Sequence, residues 1–137
     1  MRIAIINGPN LNLLGKRETN IYGEESFESY RQLLKGKFPK VEFSFFQSNI
    51  EGELVDEIQR VGFSFEGIIL NPGGYTHTSV AIGDAIAAIT TKVIEVHISN
   101  IFGREEFRKL SHVSAKAVGV ISGLGLKGYE LAVGYFL

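Results

Sequence analysis

The chain has 137 residues, 14 Lys and Arg against 15 Asp and Glu, a formal charge of −1, and no cysteine. That length predicts one domain, residues 1–137, with a core large enough to need no disulfide staples, and the missing thiols exclude disulfide frameworks, zinc ribbons, thiol nucleophiles and iron–sulfur clusters. Near-balanced charge argues against a nucleic-acid binder. No apolar run is long enough to span a bilayer, and the start reaches the polar Asn7 turn too soon for a signal peptide, so a cytoplasmic globular protein is expected.

Arg2–Asn7 is a β-rich apolar run and predicts the first strand. Residues 8–25 form a long polar connection. Ser26 then has the character of an N-cap, with Phe27, Tyr30, Leu33 and Leu34 recurring at helical spacing behind it. Residues 41–47 predict the second strand. Glu51–Val61 predicts a helix with Leu54, Val55 and Ile58 on one face and acidic residues in its first turn, where the macrodipole favours them. Residues 67–70 predict a short buried strand ended by Asn71-Pro72-Gly73-Gly74, and residues 78–89 a nearly all-apolar helix whose one charge is Asp84. Residues 93–98 predict the fourth strand, 104–110 a short helix, 117–121 the fifth strand, and Lys127–Phe136 the last helix.

Strand and helix thus alternate without internal repeat or low-complexity tract. The first, third, fourth and fifth strands are continuous apolar runs, the pattern of strands covered on both faces of a parallel sheet. Right-handed crossovers then predict an α/β, flavodoxin-like three-layer sandwich with a five-stranded parallel sheet, order 2-1-3-4-5, and a switch point between the first and third strands.

Ligands in such folds bind beyond the carboxyl ends of the strands. Three polar groups would converge there: Asn7 to Asn10, Asn71 to His77, and Glu95 to Asn100. Turns of α/β domains also use Gly, Asn and Ser for purely structural reasons. Glu95 and His97 alternate on a strand, so both face one side. A carboxylate there can fix the imidazole tautomer and stabilise its cation, as a general acid requires, and the same pair can equally be a buried structural contact. His77, in a turn opening a helix, suits capping or substrate contact alike; His112 reads as a surface residue.

The 8–25 connection exceeds the ~2–6 residues usual between strand and helix and has the length of a lid. It carries Arg17 and Tyr22. A phenol acts as a base near neutral pH only if its anion is stabilised by about 4 kcal/mol, which a guanidinium at ~4 Å supplies in an effective dielectric of ~20. Arg17 on the same loop is one candidate; Arg104 and Arg108, on one face of the expected 104–110 helix, are others. All three would otherwise be ordinary solvated charges.

Several patterns are set aside. Gly123-Leu124-Gly125-Leu126-Lys127-Gly128 fits the dinucleotide pattern, but no second strand and no ribose-holding acid follow; close packing of the last helix on the sheet accounts for it better. Gly15-Lys16-Arg17 lacks the P-loop hydroxyl. Asn71 stands where a response regulator needs aspartate. There is no nucleophile elbow and no His pair at metal-ligand spacing. A non-catalytic module binding FMN or a partner protein is the rival reading, though the phosphate loop rich in Ser and Thr that FMN binding uses does not follow the first strand. No metal or cofactor is expected.

Taken together, Ile6 to Gly15 with Arg17-Glu18 and Tyr22-Gly23, Asn71 to Ser79, and Glu95 to Asn100 continuing into Arg104 to Arg108 resemble the type II 3-dehydroquinases (3-dehydroquinate dehydratases) from the first strand onward. The resemblance implies a lyase that dehydrates 3-dehydroquinate to 3-dehydroshikimate by anti elimination through an enolate, in aromatic biosynthesis or quinate breakdown, without cofactor. It implies Tyr22 as base, Arg17 and Arg104 supporting its anion, His97 as acid with Glu95 behind it, and Asn10 holding a water at the enolate oxygen. Asn71, the Ile98 and Ser99 amides and the Ser99 hydroxyl would bind the carboxylate, His77 and Arg108 the ring hydroxyls, and Gly73 would also contact the substrate. Asp84 matches the residue that reaches a neighbouring subunit's site, in a homododecamer of trimers. Phe102-Gly103 and Leu110-Ser111-His112 depart from the family pattern, which bears on assembly and inhibitor preference.

Overall fold

The computed structural model describes residues 1–16 and 18–137, so Arg17 lies outside the described residues. Its strands are β1 (Arg2–Asn7), β2 (Glu42–Gln47), β3 (Gly67–Asn71), β4 (Val93–His97) and β5 (Gly119–Ser122). They form one parallel sheet in the order β2-β1-β3-β4-β5, as the sequence predicts. The helices are α1 (Thr19–Tyr22), α2 (Phe27–Lys37), α3 (Glu51–Val61), α4 (Val80–Ala88) and α5 (Lys127–Phe136).

Successive side chains of a strand point to opposite faces, so a strand apolar at every position needs cover on both. In β1, Ile3 and Ile5 join one core with Ile69, Ile94, Leu34 of α2 and Val133 of α5. Ala4 and Ile6 join the other with Ile68, Leu70, Leu54 and Ile58 of α3 and Ile82 of α4. Each fully buried Ile or Leu contributes about 1.5–3 kcal/mol of transfer free energy, which fixes the side each helix takes. β5 departs from the expectation. It takes the expected edge position but is not covered on both faces: Val120 on it is 42% exposed, because it has a single strand neighbour and α5 as its main cover.

Serine caps set the starts of α2 and α4. The Ser26 hydroxyl accepts from the Ser29 amide at 3.2 Å, and that of Ser79 from the Ile82 amide at 3.0 Å, so α4 begins two residues later than the apolar run. Three further expectations are corrected. The 8–25 connection holds a 3₁₀ turn at Leu11–Leu13 and the one-turn α1. The expected 104–110 helix is only a 3₁₀ turn at Glu106–Lys109, preceded by extended backbone at Arg104 and Glu105, so Arg104 and Arg108 do not share a helix face. His112 is half-buried, its amide donating to the Thr76 carbonyl at 2.8 Å. Among the described residues no helix is long and apolar enough to cross a membrane.

Candidate active site

The ends of β1, β3 and β4 meet in a crevice. The Gly8 amide donates to the Asn71 carbonyl at 2.7 Å, and a Cβ on Gly8 would stand 2.5 Å from the Pro72 carbonyl oxygen; only glycine lets the two loops cross so closely. Asn10 takes the left-handed conformation, φ 69°, which asparagine tolerates better than most residues, and its amide donates to Asn49 Oδ1 at 2.9 Å. Gly73, at φ 60°, turns the β3 loop over the same space. Between these loops lies a cavity of about 120 Å³ lined by Asn10, Tyr22, Asn71, Gly73, His77, His97, Ser99, Arg104 and Arg108. Nine residues singled out from separate parts of the sequence therefore share one cavity.

His97 is 5% exposed and its Nε2 bonds Oε2 of Glu95, which is fully buried. This is the same-face pair expected from strand alternation. Two hydroxyls complete the carboxylate: Thr76 donates to Oε2 at 2.5 Å and Ser114 to Oε1 at 2.6 Å. Burial alone would push the Glu95 carboxyl up, but the bonds from His97, Ser114 and Thr76 outweigh it and hold the group below the ordinary carboxylate value. An ionised Glu95 leaves Nδ1 as the His97 nitrogen able to exchange a proton with a ligand, and balances positive charge on the ring.

His77 faces the same cavity, its ring 6.4 Å from that of His97. Its Nδ1 lies 2.7 Å from the Leu110 carbonyl, so Nδ1 carries the hydrogen. Burial pushes its pKa below the ordinary value, with His97 and Arg108 adding to the effect and the Leu110 bond opposing it. A neutral ring of that tautomer offers Nε2 as an acceptor to a hydroxyl. Arg108 Nε donates to Glu105 at 2.5 Å, which sets its direction.

Tyr22, at the end of α1, is met by Arg104 from the β4 side. Arg104 Nη1 donates to the Tyr22 oxygen at 2.8 Å and to Ser99 Oγ at 3.1 Å, and the guanidinium carbon sits 5.6 Å from the phenol ring centre. Tyr22, Ser99 and Arg104 also line an adjoining cavity of about 540 Å³ that includes Ile98. A guanidinium bonded to a phenol oxygen stabilises negative charge there.

Three expected residues fall elsewhere. Glu95 lies behind His97, Ile98 lines only the larger cavity among these, and Asp84 is exposed on α4. Sequence reasoning missed Thr76, Ser114 and Tyr129. The Tyr129 hydroxyl, fully buried on α5, accepts from Asn71 Nδ2 at 2.9 Å and donates to Asn7 Oδ1 at 2.8 Å; the available signal was a tyrosine inside an apolar helix, whose hydroxyl needs a partner once buried. Of the glycines in the discarded dinucleotide pattern, Gly128 packs the last helix on the sheet, since a Cβ there would touch Ile121 and Val96, each at 3.3 Å, whereas Gly123 lies against Asn100 and a Cβ on Gly125 would meet nothing within 4 Å. Among the described residues no group of three or more His, Asp or Glu is placed to hold a metal ion.

Known proteins resemble the chain over nearly its whole length. A 3-dehydroquinate dehydratase of Fusobacterium nucleatum is 53% identical over 142 residues, spanning 100% of this chain and 97% of that protein. The crystal structure of a type II dehydroquinase from Butyrivibrio crossotus superposes with a TM-score of 0.96 at 47% identity, covering 99% of this chain and 97% of that one. A type II dehydroquinase from Propionibacterium acnes gives 0.89 at 39% identity, covering 98% and 94%. The family model for class II dehydroquinases matches residues 1–137, and the chain that places a phenol, a guanidinium and a carboxylate-backed imidazole around one cavity belongs to that family.

Proposed function

We propose that this chain dehydrates 3-dehydroquinate by anti elimination through an enolate, with residues 1–137 as one catalytic domain. Tyr22, as phenolate, takes the C2 proton beside the ketone, and the C–H electron pair moves into the enolate. Arg104 stabilises the phenolate and Arg17 on the same lid adds a second positive charge. Asn10 holds a water against the enolate oxygen. The enolate then collapses, the C1–C2 double bond forms, and the C1–O bond breaks as His97, backed by Glu95, protonates the departing hydroxyl to water. The product is a conjugated enone. Tyr22 ends protonated and His97 deprotonated, and a proton passing between them through solvent resets the site.

Asn71, with the backbone of Gly73, Ile98 and Ser99 and the Ser99 hydroxyl, binds the carboxylate end. Neutral His77 accepts from a ring hydroxyl and Arg108 donates to one. Asp84, exposed on α4 beside Val80 and Ala81, acts from a neighbouring copy in a homododecamer of trimers. The step serves aromatic biosynthesis or quinate breakdown.

The observation that carries this reading is the 2.8 Å Arg104–Tyr22 contact at the cavity that also holds His97. The test uses 3-dehydroquinate deuterated at the C2 position anti to the leaving hydroxyl. Ultraviolet absorbance should report the enone, and the product should have lost the label. Retention of the label would refute anti elimination, and no absorbance change would refute the substrate assignment.

A further inference from the structure

The site is held from beneath by a chain of hydrogen bonds that runs through the last helix. Asn7 and Asn71 are register partners on β1 and β3. Strand alternation turns both to the α5 side of the sheet, the side of Ile5 and Ile69. There Tyr129 meets both. Its ring is fully buried, 5.0 Å from that of Phe27 and 6.3 Å from that of Tyr30, so the hydroxyl has one position.

A tyrosine hydroxyl has a single hydrogen to donate. It goes to Asn7 Oδ1 at 2.8 Å, so toward Asn71 the oxygen can only accept. Asn71 must therefore turn Nδ2, not Oδ1, to Tyr129, at 2.9 Å. The opposite end of the amide agrees, since Oδ1 accepts from the Gly73 amide at 3.1 Å. Rotating the amide by half a turn would set Nδ2–H against the Gly73 N–H and lose both bonds. One Nδ2 hydrogen is committed to Tyr129, and the other is left for a ligand in the cavity that Asn71 lines.

We propose that Tyr129 is a positioning residue for substrate binding: through its bonds to Asn7 and Asn71 it fixes the Asn71 amide with a donor toward the cavity and ties the β1 and β3 ends on either side of the switch point. The inference rests on the reading of the cavity as the 3-dehydroquinate site. Because Asn71 is assigned to the carboxylate end and not to proton transfer, its disorientation should weaken binding more than turnover.

The experiment is a double-mutant cycle of Tyr129→Phe and Asn71→Ala, with kcat and KM measured by enone absorbance and normalised to folded protein. Tyr129→Phe keeps the ring and removes the hydroxyl. It should raise KM by roughly five- to tenfold with kcat within about twofold, the scale of one misplaced neutral hydrogen bond, and should add less than about twofold to KM in the Asn71→Ala background. A purely structural role would lower the folded fraction and leave KM unchanged. If Tyr129→Phe does not fold, Asn7→Ala, which keeps Tyr129 and takes away the acceptor of its hydroxyl proton, should raise KM in the same sense. Wild-type turnover with KM unaffected by the available variant, or an equal KM cost with and without Asn71, would overturn this inference alone. Failure of the wild type to turn over 3-dehydroquinate would overturn the reading of the site and this inference with it.

Discussion

Glu95 shows how a few bonds decide what a buried carboxyl can do. Its side chain is fully enclosed, yet three donors keep it ionised beside His97. Removing one should let burial gain ground. Ser114→Ala should therefore move the acidic limb of the kcat–pH profile to higher pH while leaving the plateau near its wild-type height, a shift read directly from the profile. His97→Ala should lower kcat per folded molecule by about 100-fold or more, the usual contribution of a positioned acid, and should also lower the thermal midpoint, because it takes one donor from the buried Glu95 carboxylate; a loss of stability with activity per folded molecule retained would assign His97 a structural role alone. The Glu95–His97 pair was legible because strand periodicity is local. Thr76 and Ser114 were not, because each stands 19 residues from Glu95 in the chain and only the closed fold brings them to it. Tyr22 and Arg104 are 82 residues apart, and their pairing was anticipated through the family resemblance, since spacing carries no such information.

At the scale of elements, α3 and α5 were readable to the residue, and in α3 apolar spacing, an acidic first turn and the Gly62 boundary agree. The 104–110 segment was not. Its charges at helical spacing suit a helix, but the bond from Arg108 to Glu105 and the packing of Phe107 against His77 hold a single 3₁₀ turn. That turn brings Arg108 to the cavity, so the misread element is part of the site. The close crossing of the β1 and β3 loops makes a sharper prediction. Gly8→Ala puts a methyl 2.5 Å from the Pro72 oxygen, and forcing the backbones apart should cost about 1–3 kcal/mol, visible as a lower denaturation midpoint together with a raised KM. A midpoint equal to wild type would show that the loops can part freely.

Over the whole molecule, stability should fall off at both ends of the pH scale. Glu95 is lowered from 4.5 and His77 from 6.5 in the folded state. Each therefore binds protons more readily when unfolded, and its stabilisation is complete above its unfolded value and lost as pH falls through its folded one. Chemical denaturation should show stability declining from about pH 6.5 and more steeply below about pH 4.5. Burial raises Tyr30 and Tyr129 above the ordinary phenol value. Their stabilisation is complete below about pH 10 and lost above it. A flat profile across the acid range would remove Glu95 and His77 as buried titrating groups. Most of this architecture was visible in the sequence, because continuous apolar strands require two covered faces whatever the site contains. The half-exposed β5 was the exception: the expected strand order put it at the edge, but its apolar run was read as covered on both faces, and an edge strand can leave apolar side chains open.

The central claim is that the lid phenol abstracts the carbon-bound proton, and Tyr22→Phe tests it most directly. Steady-state enone formation from 3-dehydroquinate should fall by about 1000-fold or more, within the range that proton-transfer groups contribute, in a variant that folds as the wild type does and loses C2 hydrogen–deuterium exchange in parallel. A Tyr22→Phe protein retaining most of its turnover would contradict the account.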